Sequence, residues 1–331
     1  LFKEDIMSKQ QDKLLFTLAP VIFFLPAFVL FALLPFSDAL LAVALPVGAL
    51  FFFALSSLSV IGVVLAGWAS NNKYSLLGGM RSASQAISYE IPLALSVLAV
   101  VAYAGTMNLK TITELQALGI LSWHWFQLLP VTFLIFFTSA IAEVNRVPFD
   151  LPEAESELVS GYNTEYTGMK FAMFFLAEYA ALFAMCVLTV TLFFGGYYSP
   201  FGGLLVEKLN LVTWLNHGAL GLLQPGNLLR QVEMVVWLLT KTYVLIFIAM
   251  WIRGTLPRLK PDELMAFSWK FLIPLSLINI VMVAAQKMWL KTTDVSFLVI
   301  WIGLMVFGLG GFIWFISRVF NDNLRKRFKL A

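Results

Sequence analysis

The sequence predicts an all-α, polytopic membrane helix bundle of about eight transmembrane helices, a single integral membrane domain over 1–331 with both termini on one side, here called the inside. Three observations carry that prediction. Hydrophobic residues make up 60% of the 331 and charged residues 12%, with a mean hydropathy of +0.86, whereas a soluble domain is roughly half apolar and a quarter charged. Apolar runs near the ~20 residues needed to cross about 30 Å of hydrocarbon recur to the end of the chain, so a cleavable leader does not explain them. Sixteen of the 22 basic residues fall in segments on the inside of an eight-span topology, which sets orientation by the positive-inside rule.

The eight runs lie near 14–36, 44–67, 84–104, 126–147, 170–195, 233–253, 268–290 and 295–318. Pro20, Pro26, Pro92 and Pro274 fall inside runs and predict kinks that neighbouring helices must compensate. Residues 70–85, SNNKYSLLGGMRSASQ, read as a short inside connection with a turn at Gly78-Gly79. Two longer outer segments, about 105–125 and 196–232, contain TITELQALGI and LLVEKLNLVTWL, which have the character of short interfacial helices. Lys241 lies within a span, and the end of the chain, 319–331, is a basic tail that reads as solvated and orientation-setting. The chain begins at Leu1 within a charged segment, LFKEDIMSKQQDK, so the natural N-terminus is expected to lie further upstream.

Several chemistries are excluded. Cys186 is the one cysteine and sits in an apolar run, which rules out an intrachain disulfide and a thiolate-held iron–sulfur or zinc site. His124 and His217 have no partners at metal-ligand spacing, and no GxGxxG or GxxxxGK[ST] pattern occurs. No metal, haem, nucleotide or nucleic acid is therefore expected on this chain, and any redox chemistry must be completed by another.

The charges that remain are concentrated. Glu143, Asp150, Glu153, Glu155, Glu157 and Glu165 are six of the 19 acids, and Arg146 alone answers them within 143–165. The acidic inside loop spans 148–169. Pro148 and Pro152 force extended or turn backbone there, a short helix can start from 153, and Glu153 and Glu157 would then be a like-charge i,i+4 pair. A carboxylate near the bilayer centre costs roughly 2.5–3.5 kcal/mol and usually has a task. Glu178 lies eight residues past Lys170, about 12 Å along a helix, and Glu90 lies a turn or two into its span, just before Pro92. Glu143, three residues before Arg146, can meet it on one helical face. Either these acids are paired helix-end and packing charges, and the loop a solvated acidic face, or they form a hydrated proton path. Arg81, Arg146 and Arg253 lie at inner span ends, where each can snorkel, bind the acids or hold a partner. Phe174, Phe175 and Leu176 read as lipid-facing or core before they read as a ligand wall.

Three stretches, LAGWASNNKYSLLGGMRSASQAISYE, AEVNRVPFDLPEAESELVSGYNTEYTGMKFAMFFLAEY and WIRGTLPRLKPDELMAFSWKFLIPLSLIN, resemble the quinone-proximal membrane subunit of respiratory complex I, the H-type (chain 1) subunit family of NADH:quinone oxidoreductases, in order from Leu1 to about Leu290. The resemblance implies that the inner loops form part of a quinone chamber and that acids lead from it into the membrane. By matching motifs, the acidic-path positions are Glu90, Glu143, Asp150, Glu153, Glu155, Glu157, Glu165 and Glu178, the basic residues beside them Arg81, Arg146 and Arg253, and the quinone-passage lining Phe174, Phe175 and Leu176. It implies quinone as substrate, no cofactor on this chain, and flavin and iron–sulfur clusters on partner subunits. Those partners are soluble quinone-reducing subunits with the terminal cluster, and small membrane subunits leading to antiporter-like subunits. The setting implied is a bacterial inner membrane, or an equivalent coupling membrane in an organelle.

Three departures stand out. The family's usual first transmembrane helix and an amphipathic segment with an ERK-like motif and GPN before LFKED are absent from this sequence. Residues 196–232 look longer than in compact members, and 295–318 with its tail lies beyond the usual end. Two other classes compete with this reading, a stand-alone cation transporter and a passive membrane anchor for a soluble arm, and within the family the alternative to NADH as electron donor is ferredoxin or hydrogen.

Overall fold

A computed structural model describes residues 12–127, 130–151, 160–201 and 225–289. Glu153, Glu155, Glu157, the LLVEKLNLVTWL segment, the 295–318 run and the basic tail lie outside the described residues.

Among the described residues the longer regular elements are all helices: α1 Lys13–Val29, α2 Gly48–Ala69, α3 Lys73–Ala104, α4 Leu109–Glu114, α5 His124–Gln127, α6 Pro130–Glu143, α7 Gly168–Phe193, α8 Pro225–Thr255, α9 Pro261–Phe267, a π-turn Ser268–Leu272, and α10 Ile273–Trp289. Six segments are long and apolar enough to cross a membrane, α9, the π-turn and α10 counting as one, and α6 is a shorter apolar helix. Seven of the eight predicted runs thus coincide with helices. The protein is an integral membrane helix bundle.

The long helices α1, α3 and α7 and the α9–α10 pair begin on the inside, while α2, α6 and α8 run back to it. Helix α3 is the central post, packed on α2, α6 and α10, while α7 packs on α1 and α8. The start of α3 corrects one expectation. Gly78 and Gly79 are not a turn but lie inside α3, which begins at Lys73 rather than near 84. The connection from α2 is only 70–72, with Asn71 at φ 47° and the Asn72 side chain accepting the Tyr74 N–H at 3.0 Å as N-cap. Packing explains the glycines: a Cβ on Gly78 would come within 2.8 Å of Gly161 Cα and Tyr162 N, so the inner loop lies against bare helix backbone.

At the outer end, the carbonyls that α7 and its exit leave open are met by side chains. Gln116 Nε2 donates to Thr191 O at 3.0 Å and His124 Nδ1 bonds Leu192 O at 2.8 Å. Lys241 Nζ donates to Phe194 O, Gly196 O and Tyr198 O at 2.7, 2.9 and 2.6 Å. The lysine embedded in α8 thus serves the negative end of α7, where a cation is favoured. Of the two expected interfacial segments, TITELQALGI contributes to α4, whose N-cap Asn108 accepts from Lys110 N at 3.0 Å.

Candidate functional site

The expected site begins where α6 stops short. Its 14 residues span about 21 Å at 1.5 Å per residue, against a predicted run to 147. Asn145, at φ 52°, ends the helix: its N–H reaches Ala142 O at 3.2 Å, and Arg146 N–H reaches Ile141 O at 3.3 Å. This 5→2 and 6→1 pair is a Schellman C-cap with asparagine in the left-handed position. The coil beyond it is buried, with Val144, Phe149 and Leu151 at 5%, 7% and 4% exposure. Irregular backbone at such depth needs protein partners, and α3 supplies them. Gln85 Nε2 donates to Ala142 O at 2.7 Å and to Phe149 O at 2.6 Å.

The cap corrects the expected Glu143–Arg146 pair. Because the chain leaves helical geometry at Asn145, Arg146 no longer sits one turn along the face of Glu143. Its guanidinium turns to α7, with Nη2 3.6 Å from Glu178 Oε2 and Cζ 4.2 Å above the Tyr179 ring. Glu178, 5% exposed, also accepts from the Tyr162 hydroxyl at 2.7 Å. Tyr162 is in turn fixed by the Gly78 contact. Glu143 is left without a cation; its Oε2 is buried and has no hydrogen-bond partner among the described residues. Glu90, within electrostatic reach of Glu143, faces α2 and accepts from the Ser57 hydroxyl. It lies in the middle of the long α3 rather than a turn or two from a helix start.

The remaining acids spread along the inner surface. Glu165 accepts from Asn72 Nδ2 at 2.8 Å. Asp150 is held by Arg258, whose Nη2 lies 2.8 Å from Oδ2 and whose Nε donates to the Asp150 carbonyl at 2.8 Å. The expected basic residues differ in setting. Arg146 is embedded in the site, Arg81 is partly buried on the inner turns of α3, and Arg253 is exposed in the last turn of α8. Sequence reasoning missed Ser57, Gln85, Tyr162, Tyr179 and Arg258. Arg258 carried a signal, a second basic residue in an inside loop five positions past Arg253; the others are ordinary polar residues until the helices are packed.

Phe174, Phe175 and Leu176 fall on three faces of α7, since successive helical side chains diverge by about 100°. Phe174 is fully buried among Phe23, Tyr162 and Tyr166, with centroids 5.4, 5.4 and 4.9 Å away. Phe175 is partly buried beside Phe171 at 4.6 Å, and Leu176 is 53% exposed. Among the described residues no group of three or more His, Cys, Asp or Glu is placed to hold a metal ion.

Comparison with known proteins gives this arrangement its context. The family model described as NADH dehydrogenase matches residues 1–284. The chain is 48% identical over 288 residues to the H subunit of the NADH-quinone oxidoreductase of Geobacillus thermodenitrificans, covering 87% of this chain and 77% of that protein. It is 47% identical over 286 residues to NADH-quinone oxidoreductase subunit 8 of Rhodothermus marinus, covering 86% and 80%. With the H subunit from a Dehalococcoides mccartyi strain it is 41% identical over 321 residues, covering 97% and 80%. On the family match and these identities, the chain belongs to the NADH dehydrogenase family of membrane subunits, alongside the H subunits of the NADH-quinone oxidoreductases.

Proposed function

We propose that this chain is the membrane subunit of a proton-translocating NADH:quinone oxidoreductase, and that its inner-end acids couple quinone reduction to proton movement. It is a non-autonomous part of that enzyme. Quinone is the substrate, electrons come from iron–sulfur and flavin groups on soluble partner subunits, and small membrane subunits receive the proton path. A bacterial inner membrane fits the organisms of the relatives named above.

The observation that carries the reading is the unequal partnering of three clustered carboxyls. Glu178 has a hydroxyl donor and a guanidinium, Glu90 has a hydroxyl donor, and buried Glu143 Oε2 has neither among the described residues. A proton can therefore bind at Glu143 without breaking a contact. Negative charge arriving at the loop acids Asp150, Glu153, Glu155, Glu157 and Glu165 on quinone reduction would raise the affinity of such a site for a proton. Arg146 holds Glu178 as the neighbouring charged acid, while Arg81 and Arg253 flank the inner end. For the quinone passage, partly buried Phe175 and exposed Leu176 offer a surface, whereas Phe174 supports it from behind.

The test is Glu143→Gln in the intact complex reconstituted in vesicles. Coupled proton uptake should fall by on the order of tenfold or more, with all subunits still assembled. Full pumping by the assembled variant would remove Glu143 from the path and favour a passive anchor.

A further inference from the structure

The turn of α3 that carries Glu90 is held from another helix. Pro92 has no N–H, so the Ser88 carbonyl four residues earlier loses its helical donor. Ser268 replaces it, its hydroxyl donating to Ser88 O at 2.6 Å, and Trp269 Nε1 donates to Ser88 Oγ at 3.1 Å. The Ser88 hydroxyl passes its own proton to Ser84 O at 2.7 Å. Both replacing residues open the π-turn 268–272, where Ile273 N–H bonds Ser268 O, five residues back. Single π-turns are rare and tend to sit where a helix has a task beyond packing.

The same strip reaches the acidic loop. Arg258 holds Asp150, Leu259 N–H bonds Pro148 O at 3.3 Å, and Leu264 O accepts from the buried Tyr89 hydroxyl at 3.0 Å. The Tyr89 ring also lies 5.7 Å from Phe149. From residue 258 to 269 the chain is thus pinned to the loop at one end and to the Ser88–Tyr89 turn at the other. Glu90 is the next residue.

We propose that Ser268 and Trp269 are positioning residues for Glu90, the π-turn transmitting displacement of the 148–150 loop to the turn of α3 that lacks the Pro92 N–H. This rests on the reading of Glu90 as a proton-path group. Leu264 O already accepts from the Tyr89 hydroxyl and from the Ser268 N–H, so one carbonyl joins the turn bearing Glu90 to the start of the π-turn. Movement of the loop reaches that carbonyl along the 258–264 strip, and Ser268 and Trp269 carry it to Ser88, two residues before Glu90.

The test uses the intact complex in sealed vesicles with Ser268→Ala, Ser268→Thr, Trp269→Phe and Glu90→Gln. Proton-to-electron ratio and the redox-difference infrared band of the Glu90 carboxyl, identified by its loss in Glu90→Gln, are measured together. Ser268→Ala should lower the ratio about twofold or more and shift the Glu90 band, and Ser268→Thr, which keeps the hydroxyl, should restore both. Trp269→Phe deletes one donor while keeping a ring, and should shift the band in the same direction; it also serves as the test if Ser268→Ala fails to assemble. A normal ratio and unshifted band in Ser268→Ala, or in Trp269→Phe in its place, overturn the positioning role alone. A normal ratio in Glu90→Gln overturns the proton-path reading beneath it.

Discussion

Replacing Gly78 by alanine acts on Glu178 without touching it. The added Cβ would lie 2.8 Å from Gly161 Cα and Tyr162 N, where ordinary contact begins at 3.4 Å. Both neighbours are backbone, so the 161–162 segment must retreat by about 0.6 Å or α3 must bend, and overpacking of this kind costs about 1–3 kcal/mol. The retreat shifts Tyr162, whose hydroxyl gives Glu178 a 2.7 Å hydrogen bond. Two other glycines calibrate the effect. At Gly79 the nearest atom is Val63 O at 3.2 Å, a milder collision, and at Gly254 nothing lies within 4 Å. Gly254→Ala should therefore be neutral or gain up to about 1 kcal/mol from helix propensity. Thermal unfolding of the purified complex and its coupled quinone-reductase rate are measured for all three. Loss in both should follow the order Gly78, Gly79, Gly254. If Gly78→Ala matches Gly254→Ala in both, the inner loop is not seated on α3 as described.

Two further outcomes follow from named contacts. Arg146 and Glu178 have side chains 15% and 7% exposed, so removing the guanidinium takes a cation from a buried carboxyl that still accepts from Tyr162, and costs about 3 kcal/mol. Arg146→Met with Glu178→Gln should be more stable than Arg146→Met alone, by thermal unfolding of the complex, and additive losses would show the pair to be uncoupled. At the outer end, burial pushes His124 down to about 4 from an ordinary 6.5, opposed by its bond to Leu192 O. Because the folded form holds the neutral imidazole, its stabilisation is complete above pH 6.5 and drains as pH falls from 6.5 towards 4, by about 3 kcal/mol in all. Amide exchange over 120–127, corrected for its intrinsic pH dependence, should accelerate in that window and not in His124→Gln; a flat response in the parent would refute the assignment.

What the sequence made legible is what periodicity and composition record. Apolar length located seven of the helices, six of them in segments long enough to cross a membrane, and acids in an oily setting singled out Glu90, Glu143 and Glu178, because a membrane penalises charge whatever the fold. Local geometry was less visible. The Gly78-Gly79 dipeptide is ordinary turn chemistry in isolation, and only the backbone of Gly161 and Tyr162 pressed against it explains why it is helical instead. The Glu143–Arg146 spacing suggested an ion pair because it assumed a helix through Arg146; Asn145 in the left-handed region is a recognised C-cap, a signal present in the residue type but weaker than the hydrophobic run around it. Ser57, Gln85 and Ser268 carried no signal. Their roles exist only where two distant segments meet, at sequence separations of 33, 57 and 180 residues.

These misses share a cause that bears on mechanism. A helix continued to the end of the predicted run would satisfy its own backbone and leave α3 nothing to do. By stopping at Glu143, the chain leaves the Ala142 and Phe149 carbonyls within reach of Gln85, and inside continuous α3 the missing N–H of Pro92 leaves Ser88 O to Ser268. Each interruption exchanges an intrahelical hydrogen bond for one to another element, so the turns bearing Glu143 and Glu90 are set by tertiary partners and not by their own helices. A carboxyl on an unbroken helix can respond to a distant loop only if the whole helix moves. At an interruption, displacement of one partner suffices. Glu143 and Glu90, which like Glu165 have no cation partner among the described residues, therefore stand beside a helix end and a missing hydrogen bond, which is where movement of the acidic loop can reach them.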